Sequence, residues 1–152
     1  MGFEIVLSLP DEAATERLGA AIAAGLEIGD AVLLSGDLGA GKTALARAVL
    51  RALDVTEHVP SPTFTLVQSY NAPRLAVRHF DLYRIKDRRE LTELGLDEAL
   101  DEGAVLVEWP ERAAEAFPVD ALNVSMSHSG ERARMARISG PDRWRATMER
   151  VR

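Results

Sequence analysis

The chain has 152 residues, 47% of them hydrophobic, which is enough for one ordinary domain with its own core. Eighteen Lys and Arg against 24 Asp and Glu leave a net charge of −6, which speaks against a free-standing coat for DNA or RNA, because phosphate affinity rests on cationic contacts. The absence of cysteine excludes disulfide scaffolds, iron–sulfur clusters, thiolate zinc sites and cysteine nucleophiles together.

The first basic residue, Arg17, follows Glu4, Asp11, Glu12 and Glu16, so the start lacks the positive charge of a secretory signal. The cytoplasm is the expected location. Phe3, Ile5 and Leu7 alternate with Glu4, Val6 and Ser8 and predict a half-buried strand. Pro10, Asp11 and Glu12 suit a helix start, and Ala14, Leu18, Ala21, Ile22 and Gly25 place one apolar face on a helix from about Asp11 to Leu26. Ala31 to Ser35 is a continuous apolar run, which fits a parallel strand buried on both faces. Beyond Gly36, a helix from Lys42 carries Leu45, Val49, Ala52 and Leu53 on one side and Arg47 and Arg51 on the other.

Pro60 and Pro62 force a stiff crossing loop, followed by two predicted strands, Phe64 to Tyr70 and Leu75 to Phe80. The longest uncharged run, Val59 to Pro73, contains three prolines and falls short of the about 18 apolar residues a membrane span needs. An acidic helical stretch from Arg88 to Glu102 precedes a short buried strand, Ala104 to Val107. Leu122 to His128 alternates, Gly130-Glu131 turns the chain, and a strand returns from Arg132 to Ser139. The expected architecture is a single α/β domain over residues 1–152. It has a mostly parallel central sheet flanked by helices, antiparallel additions, a terminal β-hairpin and a loosely ordered tail over 141–152.

Gly36-Asp37-Leu38-Gly39-Ala40-Gly41-Lys42-Thr43 satisfies the G-x-x-x-x-G-K-[ST] pattern, with a buried strand before it and an amphipathic helix after. The glycines let backbone amides turn towards a β-phosphate at a helix amino terminus, where the dipole adds positive potential. Lys42 can place its charge against β- and γ-phosphates, and the Thr43 hydroxyl is a hard ligand for Mg²⁺. No Asn-Lys-x-Asp stretch follows to read guanine, so ATP is the expected nucleotide.

A P-loop nucleotidase also needs a carboxylate at a strand's carboxyl end and a group to place the attacking water. Asp81 and Glu108 both end predicted strands and are assigned together to metal and water. Ser61-Pro62-Thr63-Phe64 lies where such enzymes carry the loop that senses the γ-phosphate, which makes Thr63 a catalytic candidate. Trp109 is expected to pack beside Glu108. His79 stands near this region, but His58, His79 and His128 show no metal-ligand spacing.

Five segments in order resemble the TsaE family, also called YjeE, the bacterial P-loop ATPase of tRNA threonylcarbamoyladenosine biosynthesis. They are Gly36 to Thr43, Ser61 to Val67, His79-Phe-Asp-Leu-Tyr-Arg84, Glu93 to Glu98 and Val107-Glu-Trp-Pro-Glu-Arg112. The resemblance implies ATP bound by Asp37 to Thr43, Mg²⁺ held by Thr43 and Glu108, and Asp81 close to the reacting end of the nucleotide. It further implies Asp11 near the base and Arg132 reaching the nucleotide from the final hairpin. The implied activity is ATP hydrolysis in support of a TsaB–TsaD assembly, which transfers a threonylcarbamoyl group to the adenosine beside the anticodon of tRNAs reading ANN codons. Contact with tRNA would run through that assembly.

Two other classes use the same loop. A small-molecule kinase would need a lid, for which Arg84 to Arg89 is the candidate, and a nucleotide-gated assembly module would need binding without turnover. Charge is unevenly spread: residues 90–130 hold one basic and ten acidic groups, and residues 131–152 hold seven and three. This predicts an acidic flank for a partner protein and a basic terminal hairpin, with Arg132, facing phosphates of ATP or of partner-held tRNA.

Overall fold

Val32 and Leu34 point to one side of the strand Ala31–Ser35 and Ala31 and Leu33 to the other, and both sides are covered by apolar residues. A computed structural model, which describes residues 2–62 and 65–151, makes this strand (β2) the middle of a seven-stranded sheet. The other strands are β1 (Gly2–Leu9), β3 (Val67–Asn71), β4 (Ala76–Asp81), β5 (Gly103–Glu108), β6 (Leu122–His128) and β7 (Arg134–Pro141). Their order across the sheet is β1-β7-β6-β2-β5-β4-β3. The ladders from β6 through β2 and β5 to β4 are parallel, and those of β1 with β7, β6 with β7 and β3 with β4 are antiparallel. The sheet is therefore mixed: a parallel centre with an antiparallel addition at each edge.

Two apolar layers sandwich it. Leu18, Ile22, Leu45 and Val49 of helices α1 (Glu12–Gly25) and α2 (Lys42–Ala52) pack on one face, against Leu34, Leu106 and Ile138. Leu91, Leu96 and Ala99 of α3 (Arg88–Glu93) and α4 (Leu96–Glu102) cover the other face, against Leu33, Val105 and Val107. A 3₁₀ segment, Pro110–Ala116, joins this second layer through Ala113. Asp11 caps α1 by accepting from the Ala14 amide at 2.9 Å, which fixes where the helix begins.

Two expectations change. The acidic stretch Arg88 to Glu102 is two helices rather than one, broken at Gly95, whose φ of 85° starts the second. The segment after Pro141 is not a loose tail: a 3₁₀ turn (Asp142–Trp144) leads into helix α5 (Arg145–Glu149), and Trp144 and Met148 are buried in the first apolar layer. The indole lies against the carboxyl end of α1, where a Cβ on Gly25 would come within 2.6 Å of the ring. One large apolar side chain among many charges anchors this segment, a signal that composition alone obscures. No helix among the described residues is long and apolar enough to cross a membrane.

Candidate functional site

Four polar or charged side chains are buried among the described residues, Lys42, His79, Asp81 and Glu108, and all four belong to one region. Parallel pairing explains the convergence. Asp81 and Glu108 are register partners at the carboxyl ends of β4 and β5, and the loop from β2 to α2 emerges beside them. This is the edge at which open α/β sheets receive ligands.

The loop itself is shaped by glycine. Gly36 (φ 133°) passes so close to the Met126 carbonyl that a Cβ could not fit, and Gly41 (φ 107°) turns the chain into α2 in the left-handed region. Lys42, the first residue of α2, donates from Nζ to the Gly36 carbonyl and, at 3.0 Å, to the Asp37 carbonyl. Its ammonium also lies 4.0 Å from the centroid of the Trp109 ring, a cation–π contact. Burial pushes the Lys42 pKa below its ordinary value, while Glu108, Glu111, Asp81 and Asp37 pull it back. Ala40 is buried beneath the loop, and Leu38 projects from it.

Thr43 Oγ1 is shared between the two Glu108 carboxylate oxygens, at 2.8 and 3.0 Å. Glu108 Oε2 also lies 2.7 Å from His79 Nε2. Asp81 Oδ1 accepts from the Tyr83 amide at 3.0 Å. Trp109 takes a left-handed conformation (φ 58°), which folds its ring over Lys42 and against Tyr83, with ring centroids 4.8 Å apart.

Leu38, Gly39, Gly41, Lys42, Thr43, Ala44, Ser61, Asp81, Glu108, Trp109 and Arg134 line one cleft of about 380 Å³. An adjoining cavity of about 750 Å³ is lined by Asp11, Glu131 and Arg132 and shares Gly41, Ala44 and Arg134 with the first. Lys42, Thr43, Asp81 and Glu108 are thus brought together, and Asp11 and Arg132 stand in the neighbouring cavity. Thr63 lies outside the described residues.

Sequence reasoning passed over Arg134. Its guanidinium donates to the Gly39 carbonyl at 3.2 Å and reaches both cavities, whereas Arg132 touches only the outer one. The available signal was the alternation of β7, which puts Arg134 on the inward face with Ala136 and Ile138. The basic terminal block is also less free than its composition implied: Arg137 pairs with Glu4, Arg143 with Asp30 and Arg145 with Asp142.

Among the described residues no group of three or more His, Asp or Glu could hold a metal ion by itself. A hydroxyl beside one carboxylate fits Mg²⁺ instead, since that ion keeps several waters and is bound through one or two carboxylates plus substrate phosphates. The strand–glycine loop–helix unit, its lysine and threonine, and a buried acid on the adjacent parallel strand define the class: an α/β domain of P-loop architecture. The family model for the threonylcarbamoyl adenosine biosynthesis protein TsaE matches residues 9–136, and the chain belongs to the TsaE family.

Relatives agree. The tRNA threonylcarbamoyladenosine biosynthesis protein TsaE of Rickettsia felis is 36% identical over 134 residues, which cover 88% of this chain and 78% of that protein. The protein of the same name from Bacillus subtilis is 38% identical over 123 residues, covering 80% and 75%. The crystal structure of Bacillus subtilis YdiB superposes with a TM-score of 0.82 at 29% identity, covering 99% of this chain and 95% of that one.

Proposed function

We propose that this protein hydrolyses ATP with Mg²⁺ in support of a TsaB–TsaD assembly that forms N6-threonylcarbamoyladenosine beside the anticodon of tRNAs reading ANN codons. The observation that carries the reading is the contact of Thr43, in the first turn of α2 just after the glycine loop, with the buried carboxylate of Glu108, next to Lys42 and Asp81 in one cleft. Gly39 to Thr43 would cradle the phosphates with backbone amides, and Lys42 would exchange its carbonyl partners for β- and γ-phosphate oxygens. Thr43 and Glu108 would hold Mg²⁺, which when bound neutralises charge developing on the phosphoryl oxygens. Asp81, its Oδ1 oriented by the Tyr83 amide, is the group to align the attacking water. Asp11 and Arg132 would face the outer part of the nucleotide from the adjoining cavity.

Transition-state charge is incompletely met by one lysine. An added arginine contributes about 10³–10⁵ in rate in related phosphoryl transfers; Arg134, which donates to the Gly39 carbonyl and lines the cleft, joins Arg84 and Arg132 as a residue of this chain that could supply it. Slow hydrolysis by the isolated protein and faster hydrolysis with partners are the expected outcomes. Phosphate release measured alone, with TsaB and TsaD, and with tRNA added tests this. No stimulation in any mixture would count against the assembly role, and phosphoryl transfer to a metabolite would favour a kinase.

A further inference from the structure

His79 is the most enclosed of the four buried polar residues, with no exposed surface, and it lies outside the cleft lining. It sits on β4 two residues before Asp81, so both side chains share the sheet face that carries Val77, on the α2 side. Parallel pairing puts His79 level with Leu106 and Asp81 level with Glu108, and the imidazole reaches diagonally across the ladder to Glu108 Oε2 at 2.7 Å. A carboxylate only accepts, so Nε2 is the donor in this contact, an assignment made from the hydrogen-bond network. Nδ1 has no hydrogen-bond partner in the structure, so the contact with Glu108 is the one the imidazole makes.

Glu108 is therefore gripped from two sides, by the Thr43 hydroxyl in front and by the His79 imidazole behind. The front partner would share its oxygen with a cation. The rear partner is closed off from the cleft and keeps the carboxylate turned towards the loop. Resting on the reading of Glu108 as a Mg²⁺ ligand, we propose that His79 is a positioning residue: its Nε2–H sets the Glu108 carboxylate for metal-assisted nucleotide binding. Removing a hydrogen-bond partner behind a metal ligand weakens metal affinity by about 10–100-fold.

The test is the affinity for ADP, which is not hydrolysed, measured by calorimetry in Mg²⁺ and in EDTA for the wild type, His79→Leu and His79→Gln. The wild type is expected to bind more tightly with Mg²⁺. His79→Leu, close in volume but without a donor, should lose about 10–100-fold of the Mg²⁺-dependent gain and keep its affinity in EDTA. His79→Gln, whose amide can still donate, should recover most of the gain. A full gain in His79→Leu, or an equal loss for both variants in both conditions, would overturn the proposal. A wild type that gains nothing from Mg²⁺ would instead remove the metal reading of Glu108, and this inference with it.

Discussion

The carboxyl ends of the central strands and the layer around α5 are both tightly buried, and they are built from opposite materials. Around Trp144 the interior is mainly apolar: the indole, Met148 and the end of α1 close over each other, and the missing side chain of Gly25 leaves the ring space. At the other place the same sheet encloses a lysine, an imidazole and two carboxylates. Burying unlike charges beside each other is a poor way to gain stability, because desolvation offsets most of their attraction. The first region holds the fold together and the second is held by it, so substitutions should separate stability from activity.

The largest expected effect is on the structural side. Trp144→Ala should cost about 3–5 kcal/mol in urea unfolding, as deletion of a fully packed aromatic does, and leave the nucleotide affinity of the folded fraction intact. A near-wild-type midpoint would show that α5 contributes little and break the contrast. On the polar side, Glu108→Gln should lower phosphate release by about 10²–10³-fold with little change in unfolding midpoint. Asp81→Asn should lower turnover by about 10²-fold, the lower end of what a positioned base contributes, while the Mg²⁺-dependent gain in ADP affinity survives. If both variants lose that gain alike, the division between a metal carboxylate and a water carboxylate is wrong.

The smallest effect concerns Lys42 and pH. Its folded pKa lies below the ordinary 10.5, so between those two values the unfolded chain retains a proton that the folded chain has released. Stability without nucleotide should therefore rise with pH across that window. Lys42→Met should flatten the rise in denaturation curves taken at several pH values, while abolishing turnover. An unchanged slope would mean that burial of the ammonium is not what the folded state resists.

Much of this molecule was legible along the chain. The strand Ala31–Ser35, the glycine loop and the start of α2 follow from local rules: uncharged runs bury, glycine alone turns through positive φ, and an amphipathic period makes a helix. Asp81 and Glu108 could be named because each ends a predicted strand, Glu108 after the uninterrupted apolar run Ala104 to Val107. Edges were harder. Of the strand expected from Phe64 to Tyr70, Phe64 lies outside the described residues and the strand observed is Val67–Asn71; the acidic stretch divides at Gly95, since a single positive-φ residue outweighs a continuous polar pattern.

The sequence alone determined the kind of site, because a glycine loop, a lysine and a strand-end acid are local features whose chemistry survives any arrangement. Which groups meet was set by the packing of the folded chain. The grip of His79 on Glu108 depends on the parallel register of β4 and β5, the reach of Arg134 to Gly39 on the placement of β7 beside β6, and the burial of Trp144 on the missing side chain of Gly25. Each is a contact between segments far apart in the chain, fixed by how strands pair and layers pack, and no period or motif within either segment encodes it.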